Sequence, residues 1–543
     1  MTNEIDSILQ RDVRRQVIPE LGRGPFVLAY ADHGFAGGWF CALVPDASVP
    51  LVMAAPAWDL HKGDGGFEIR SDETHGHTYV RLNGAHGVEP LVVVRSYDGI
   101  RPKELELSEE YRLFHNIFHD QSKGEWIRFA GDGTEIVVGR LVEGRLELRV
   151  RELRQYLAIR RMHLAVYFQS WRESPIALDQ LPQDELAENR RDEDSCYDFG
   201  VLEESIRGRA GIKTFSKLIG KKLIRPLPLK SCGIWPYEDE KVFEKFIIGA
   251  DEDGRDVEHS CDPDALANFF GANEGAPFYL TPVFFRREVL ARYFAVPSKY
   301  KVEDGRLQCA ALWSLKIDNN HPDRVIVMLG DLGRDLPEGE RRHWRAHNVQ
   351  PDGAGISEVN YRRNVLGEWF DAQAPDLVFK AAYERMNETW AVRLGWRLHS
   401  PLREDDAHCL GSLRGLIAEE QAEFDEQIKN LTKLLVDQLN DAAIQARLPS
   451  KIEKERGINK LGRLLDQEGV PNAKQHIDFL KALYDIRSMG AAHRKSSNYE
   501  KLWKRLGYEG RSLSSVFEEI LVNATKMLDD LREWAELRPG NNK

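Results

Sequence analysis

The sequence predicts a multidomain α+β protein: a β-rich and mixed α/β N-terminal region, then an all-helical C-terminal bundle. Three observations lead there. Short runs rich in Val, Tyr, Leu and Phe, separated by Gly, Asp and Pro, fill Met1 to about Ser174. Strand signals vanish after Pro401, where apolar residues recur at three- and four-residue steps to the end. Between these extremes, Pro175, Pro182 and the charged run DELAENRRDEDS interrupt the first pattern. The expected division is residues 1–174, an acidic linker at 175–198, a mixed α/β domain at 199–401 and a helical bundle at 415–543.

Composition narrows the class. A chain of 543 residues divides into three or four domains at about 150 residues each. With 42% hydrophobic and 30% charged residues, wholesale disorder is excluded. No apolar run approaches the roughly eighteen residues of a membrane span. The start, MTNEIDSILQRDVRRQ, is charged where a secretory signal would be apolar, so the expected location is cytoplasmic, without a membrane partner. Cys41, Cys196, Cys232, Cys261, Cys309 and Cys409 are scattered with no CxxC pair, which reads as reduced, structural thiols. Neither a metal nor a cofactor is expected.

The net charge of −12 argues against bulk nucleic-acid binding, yet it is uneven. Residues 451–543 hold 18 Lys and Arg against 14 Asp and Glu, and residues 487–511 hold seven basic against two acidic. A polyanion is expected to meet this end of the chain.

In chain order, PFVLAYADHG, GGWFCALVP, HTYVRLNG, PLVVVRSYDG and EIVVGRLVEGRLELRV predict strands, with hairpin turns at Asp132-Gly133 and Glu143-Gly144, where glycine supplies a positive φ. Arg151 to Phe168 predicts a helix passing into the strand HLAVYF. In the mixed region KFIIGA, PFYLTPVFF, LQCAALWSLKID and RVIVMLGDL predict strands, while PDALANFFG, RREVLARYF and VFKAAYERMNETW predict helices. VEGRLELR and VEDGRLQCA are alike enough to hint at a duplicated hairpin. In the helical ending, Phe424, Ile428, Leu431, Leu435 and Leu439 form one stripe on a helix ended by Pro449. Ser450 with Glu453, and Ser515 with Glu518, match capping boxes, and Pro471-Asn472 marks another start. A bundle of four or five helices results.

One stretch, DIRSMGAAHRKSSNYEKLWKRLG from Asp485 to Gly507, brings residue types and spacing toward one chemistry. Cleaving RNA without a metal needs a group that moves the 2'-hydroxyl proton and a permanent cation on the phosphate. Histidine titrates near neutrality, and arginine keeps its charge and grips phosphate oxygens through parallel hydrogen bonds. Arg487 and His493 are six apart, which on an ideal helix is about 600° of rotation, so they meet only if the helix ends between them. Gly490 is placed to allow that.

This ending resembles a HEPN domain, an all-helical bundle carrying an Arg, four to six residues, then a His. Here it reads Arg487, SMGAA, His493, and the resemblance covers roughly residues 415–536. It implies a metal-independent endoribonuclease leaving 2',3'-cyclic phosphate ends, acting on RNA such as tRNA or mRNA, with His493 catalytic and Arg487 holding phosphate. It also implies a homodimer through the bundle and a role in bacterial toxin or antiphage defence systems, the N-terminal region sensing a phage or host protein trigger. Ser488 departs from the Asn, Asp or His that often follows the arginine, and would supply the polar group there. The rival expectation is a non-catalytic scaffold or sensor whose bundle dimerises or binds a partner.

Around the motif, Arg494, Lys495, Asn498, Tyr499, Lys501, Lys504 and Arg505 mix cations with aromatics as single-stranded RNA binding requires. Tyr499, Leu502, Trp503 and Leu506 at helical spacing also read as core. Elsewhere, His115 and His119 would share a helix face and could hold a metal with His75, His77 or His86, though no acidic or Cys ligand has diagnostic spacing. The basic segment Leu218 to Lys230 could touch phosphate but lacks the glycine and Ser/Thr of a P-loop. Gly34, Gly37 and Gly38 fall in a hairpin, and GDLGRD (Gly330 to Asp335) reads as a tight turn at a strand end.

Overall fold

The computed structural model describes residues 2–57, 66–74, 76–82, 87–203, 211–490 and 497–538. The chain forms two units, Met1–Ala130 with Thr134–Lys241, and Gly131–Gly133 with Val242–Lys543. The architecture is mixed as predicted, antiparallel strands dominating the first unit and helices the end of the second.

In the first unit the chain runs through β1 (Phe26–Asp32), β2 (Gly37–Pro45), β3 (Val92–Arg95), β4 (Glu104–Leu107), helix α1 (Glu109–Phe114), β5 (Phe118–Asp120), β6 (Glu125–Phe129), β7 (Glu135–Val142), β8 (Arg145–Arg149), helix α2 (Val150–Arg160), β9 (Met162–Ser174), β10 (Ala187–Arg191), β11 (Ser195–Glu203) and β12 (Thr214–Ile224). Ten of these strands join one sheet in the order β10-β11-β12-β9-β2-β1-β8-β7-β6-β5, with Glu89–Pro90 beside β2. β3 and β4 pair with each other. The predicted turn at Glu143-Gly144 closes β7 on β8 with both residues at positive φ, the requirement of a two-residue hairpin whose twist matches its strands.

The 13-residue β9 is the spine of this sheet, pairing with β2 on one side and β12 on the other. Close approach there demands glycine. A Cβ on Gly37, itself at φ +122°, would lie 2.0 Å from the Gln169 carbonyl oxygen, and one on Gly220 would lie 2.3 Å from the Cβ of Tyr197. Alternate residues of β9 and its neighbours, among them Leu164, Val166, Phe168, Tyr197 and Leu218, enter the core with Leu153, Tyr156 and Leu157 of α2.

The acidic stretch 175–198 is not a linker: it contains β10, the terminal strand of the sheet, and the start of β11. Its charge reflects an edge strand with four of its five residues exposed, where charged side chains discourage pairing with another chain. The first unit therefore extends to Lys241, past the expected boundary. The lysines of GKK do not present a basic surface either. Lys221 is 1% exposed and donates from Nζ to the Val52 carbonyl oxygen at 2.6 Å, and Lys222 pairs with Asp194 at 2.8 Å.

In the second unit β13 (Pro282–Arg286) lies between β17 (Arg324–Met328) and Asn348–Val349, while β14 (Tyr300–Glu303), β15 (Arg306–Cys309) and β16 (Trp313–Lys316) form a meander. β14-β15 and β7-β8 are both hairpins with two-residue loops, Asp304-Gly305 and Glu143-Gly144, so the similar sequences share a local shape. PDALANFFG is not a helix, since only Pro263–Ala265 takes a 3₁₀ turn capped by Asp262. GDLGRD is not a turn: helix α3 (Leu329–Asp335) starts directly from β17. Its buried Asp331 accepts a hydrogen bond from Tyr279 at 3.0 Å and pairs with Arg334 at 2.8 Å, and burial raises its carboxyl above the usual range.

The helical ending holds α4 (Pro375–Leu394), α5 (Gln421–Thr432), α6 (Gly457–Gln467), α7 (Ala473–Gly490), α8 (Ser497–Leu506) and α9 (Leu513–Glu536). α9 buries Val516, Ile520, Ala524, Met527, Leu528, Leu531 and Trp534, the predicted stripe. Its neighbour α4 contributes Phe379, Met386 and Trp390 to the same core, so the bundle begins near Pro375 and not at 415. The capping boxes are also corrected. α6 starts at Gly457 with Arg456 at its N-cap, leaving Ser450 to accept from Arg463, and α9 is capped by Ser512, which accepts from the Ser515 N–H. The helix expected to run to Pro449 breaks after a π-helical turn at Lys433–Asp437, and Asn440 caps the next short helix.

Gly220→Ala is expected to destabilise the first unit by about 3 kcal/mol or more, because backbone and Tyr197 would have to move. Gly200→Ala, where an added Cβ meets nothing within 4 Å, is expected to change stability by no more than about 0.5 kcal/mol. Urea midpoints of the two variants check this.

Candidate functional site

Arg487 lies in the last turn of α7, where a cation is favoured by the helix dipole. Its Nη1 donates to both carboxylate oxygens of Asp437, at 2.9 and 2.7 Å. The two side chains are 31% and 28% exposed, so the pair contributes at most about 1 kcal/mol, and an incoming anion can compete for the guanidinium. Asp437 ends the π-helical turn of Lys433–Asp437. Such a turn widens the helix by one residue and is frequent at functional sites.

That turn is held from below. His399 is buried, meets Asn387 Oδ1 through Nδ1 at 2.9 Å and hydrogen-bonds to the backbone of Leu435. Burial pushes its pKa down to about 4, so the imidazole is neutral near pH 7 and has a single N–H to share between Asn387 Oδ1 on α4 and the Leu435 backbone.

The structure sorts the predicted residues as follows. His493, Arg494 and Lys495 lie outside the described residues, and so does the chain between Gly490 and Ser497 over which Arg487 and His493 would be brought together. Ser488 turns back on its own helix, donating from Oγ to the Tyr484 carbonyl oxygen at 2.8 Å, the common local bond of a helical serine. Its hydroxyl proton is thereby engaged, while the oxygen of this exposed residue can still accept a hydrogen bond. Lys501, Lys504 and Arg505 are exposed on α8, with Arg505 paired to Asp485 of α7 at 3.1 Å. For Asn498 the position in α8 is described and the side chain is not.

Tyr499 is corrected more strongly. It is 5% exposed, stacks on Trp503 with ring centroids 4.9 Å apart, and lies within 3.3 Å of Gln421 Nε2 through its hydroxyl. Trp503 in turn meets the edges of Phe424 and Tyr508. These rings fasten α8 to the bundle, so the face that would stack on a base is used inside the protein. The basic stripe of α8 remains on the outside without them.

The histidine pair is corrected too. His115 follows the last residue of α1 and meets the Glu152 carbonyl oxygen at 2.9 Å, while His119 is on β5. They share no helix face. His75 and His86 lie outside the described residues, and His77 meets Ser71 Oγ at 2.9 Å. Among the described residues no group of three His, Cys, Asp or Glu could hold a metal ion, and no helix is long and apolar enough to cross a membrane.

Sequence reasoning missed Asp437. It stands 50 residues before Arg487, between the apolar positions of its own helix, and nothing in its local pattern marks it. Only the extra residue of the π turn signals a departure there, and no residue type announces that. Comparisons with family models, with curated proteins and with solved structures give no match.

Buried His399 carries a pH dependence. Its folded pKa lies below the ordinary 6.5, so the unfolded chain takes up a proton that the folded chain refuses. Its stabilisation is fully present above about pH 6.5 and is lost as pH falls toward 4, on the order of 3 kcal/mol across that window. Urea titrations from pH 7 to 4 should show this loss, and His399→Gln should lower stability at pH 7 while flattening the slope.

Proposed function

We propose that the C-terminal bundle is a HEPN-like, metal-independent endoribonuclease. Arg487 holds the scissile phosphate, and His493 moves the proton. As the 2'-oxygen attacks phosphorus and gives up its proton, the bond to the 5'-oxygen breaks and that oxygen is protonated. The products are a 2',3'-cyclic phosphate and a 5'-hydroxyl. The observation that carries this reading is the placement of Arg487: a guanidinium at a helix end, partly exposed and anchored through one nitrogen to Asp437, on the helix tied by Asp485 to the basic face of α8. Anchoring one nitrogen orients the planar fork, and the fork suits phosphate.

On this reading a second copy completes the cleft through the bundle, RNA is the substrate, and the first unit senses a phage or host protein trigger in a defence or toxin system. The N-terminal unit supplies no part of the chemistry.

A second reading has an observation of its own. Arg487 bonded to Asp437, in a bundle whose α8 aromatics serve as core, is also what a purely structural arginine would do. The bundle would then be a non-catalytic scaffold or sensor that dimerises or binds a partner.

Purified full-length protein should cut RNA or tRNA in EDTA, His493→Ala should abolish cleavage, and Arg487→Ala should lower it by about a hundredfold or more. Undiminished cleavage by His493→Ala would sink the nuclease. Asp437→Asn should reduce kcat by about tenfold with little change in KM if it orients the guanidinium. On the scaffold reading Asp437→Asn and Arg487→Ala shift only the unfolding midpoint, by similar and non-additive amounts.

A further inference from the structure

The first unit contains a cleft of about 330 Å³ between β4, α1 and β5. Its volume is within the range of small-ligand and side-chain pockets, about 300 to 1,000 Å³. Trp126, on β6, is buried at its base, and the His119 ring stacks flat on it, with centroids 4.3 Å and planes 5° apart. The imidazole face away from Trp126 is the one left for a ligand. Burial and nearby Arg112 lower the His119 pKa, which keeps that ring neutral near pH 7, while Glu104, Asp120 and Glu106 pull the other way.

Two carboxylates line one wall. Glu104 accepts from the Tyr97 hydroxyl at 2.8 Å, and Glu106 accepts from Arg95 Nε at 2.9 Å, each through Oε2. Arg112 lines the same space. Its Nη1 reaches Glu109 at 3.3 Å, and its buried Nε has no hydrogen-bond partner among the described residues. At the rim Phe118 is 55% exposed. Two strand edges frame the opening: β5 ends the large sheet, paired with β6, and β4 is paired with β3.

Each feature limits the occupant. Among the lining residues two carboxylates outnumber the one guanidinium, Arg112, and Arg95, which pairs with Glu106 at 2.9 Å, stands outside the lining, so a cation is favoured over a phosphate. A flat neutral ring backed by indole favours a planar cation, since a guanidinium stacks where a compact ammonium does not. A free strand edge accepts an extended backbone. We propose that this cleft is a docking site for an arginine side chain carried on an extended segment of a partner protein. The guanidinium lies on His119 and is held by Glu104 and Glu106, and the backbone runs beside β5. The site stands apart from the nuclease reading and holds whether or not the bundle cuts RNA.

The probe is the blocked peptide acetyl-Gly-Gly-Arg-Gly-Gly-amide, added to the full-length chain and followed by saturation-transfer NMR on the arginine δ-methylene. Its counterpart carries citrulline, which keeps the shape and loses the charge. The arginine peptide should bind with a dissociation constant at or below about 1 mM, and the citrulline peptide about tenfold more weakly. Glu104→Gln/Glu106→Gln should weaken the arginine peptide by about tenfold while the thermal unfolding midpoint stays within a few degrees. Phe118→Ala, at an exposed position, serves as a second variant and should weaken binding without unfolding the chain. Equal binding of the two peptides, or undiminished binding to both variants, would overturn the proposal. So would binding of guanosine monophosphate that shows the same dependence on Glu104 and Glu106 in place of peptide binding.

Discussion

The helical bundle that ends the second unit depends on one apolar stripe, that of α9. Its 24 residues run past α4, and the same core receives α5, α6, α7 and α8. Fully burying a leucine or phenylalanine is worth about 1.5 to 3 kcal/mol, so the ten buried residues of α9 outweigh any ion pair on the surface. Arg487 and Asp437 are therefore passengers on a scaffold fixed by packing. Their 2.7 Å contact is set by where α7 and the π turn are forced to lie.

This division explains how much could be read from the amino acids alone. The α9 stripe, the strands β7 and β8 and the positive-φ turn between them follow from local period, composition and turn chemistry, and the structure has them where the residues say. What failed depended on distant partners. Ser450 has the right neighbours for a cap, but Arg463 takes it. Lys221 has the composition of a surface cation, but β12 runs through the interior and the Val52 carbonyl oxygen accepts a hydrogen bond from its ammonium. Tyr499 and Trp503 satisfy two templates at once, RNA stacking and helix core, and only the position of Phe424 decides between them.

The candidate site was legible in one half. Arg487 and the helix it ends on came from spacing and residue type. Asp437 did not, because a carboxylate off the apolar stripe looks like every other solvated charge until a π turn rotates it toward a second helix. The charged strand β10 shows the converse error. Clustered Asp, Glu and Arg look like linker when the chain is read locally, and become the protected edge of a sheet once β11 and β12 are alongside.

All six cysteines are buried as free thiols, Cys41, Cys196 and Cys232 in the first unit and Cys261, Cys309 and Cys409 in the second. Burial pushes Cys41 up to about 12 and Cys261 up to about 11, far from the thiolate that oxidants and alkylating reagents attack. Each unit thus carries three silent chemical reporters. Their rates of modification register local opening, so the two halves of the chain keep separate records of how often each comes apart.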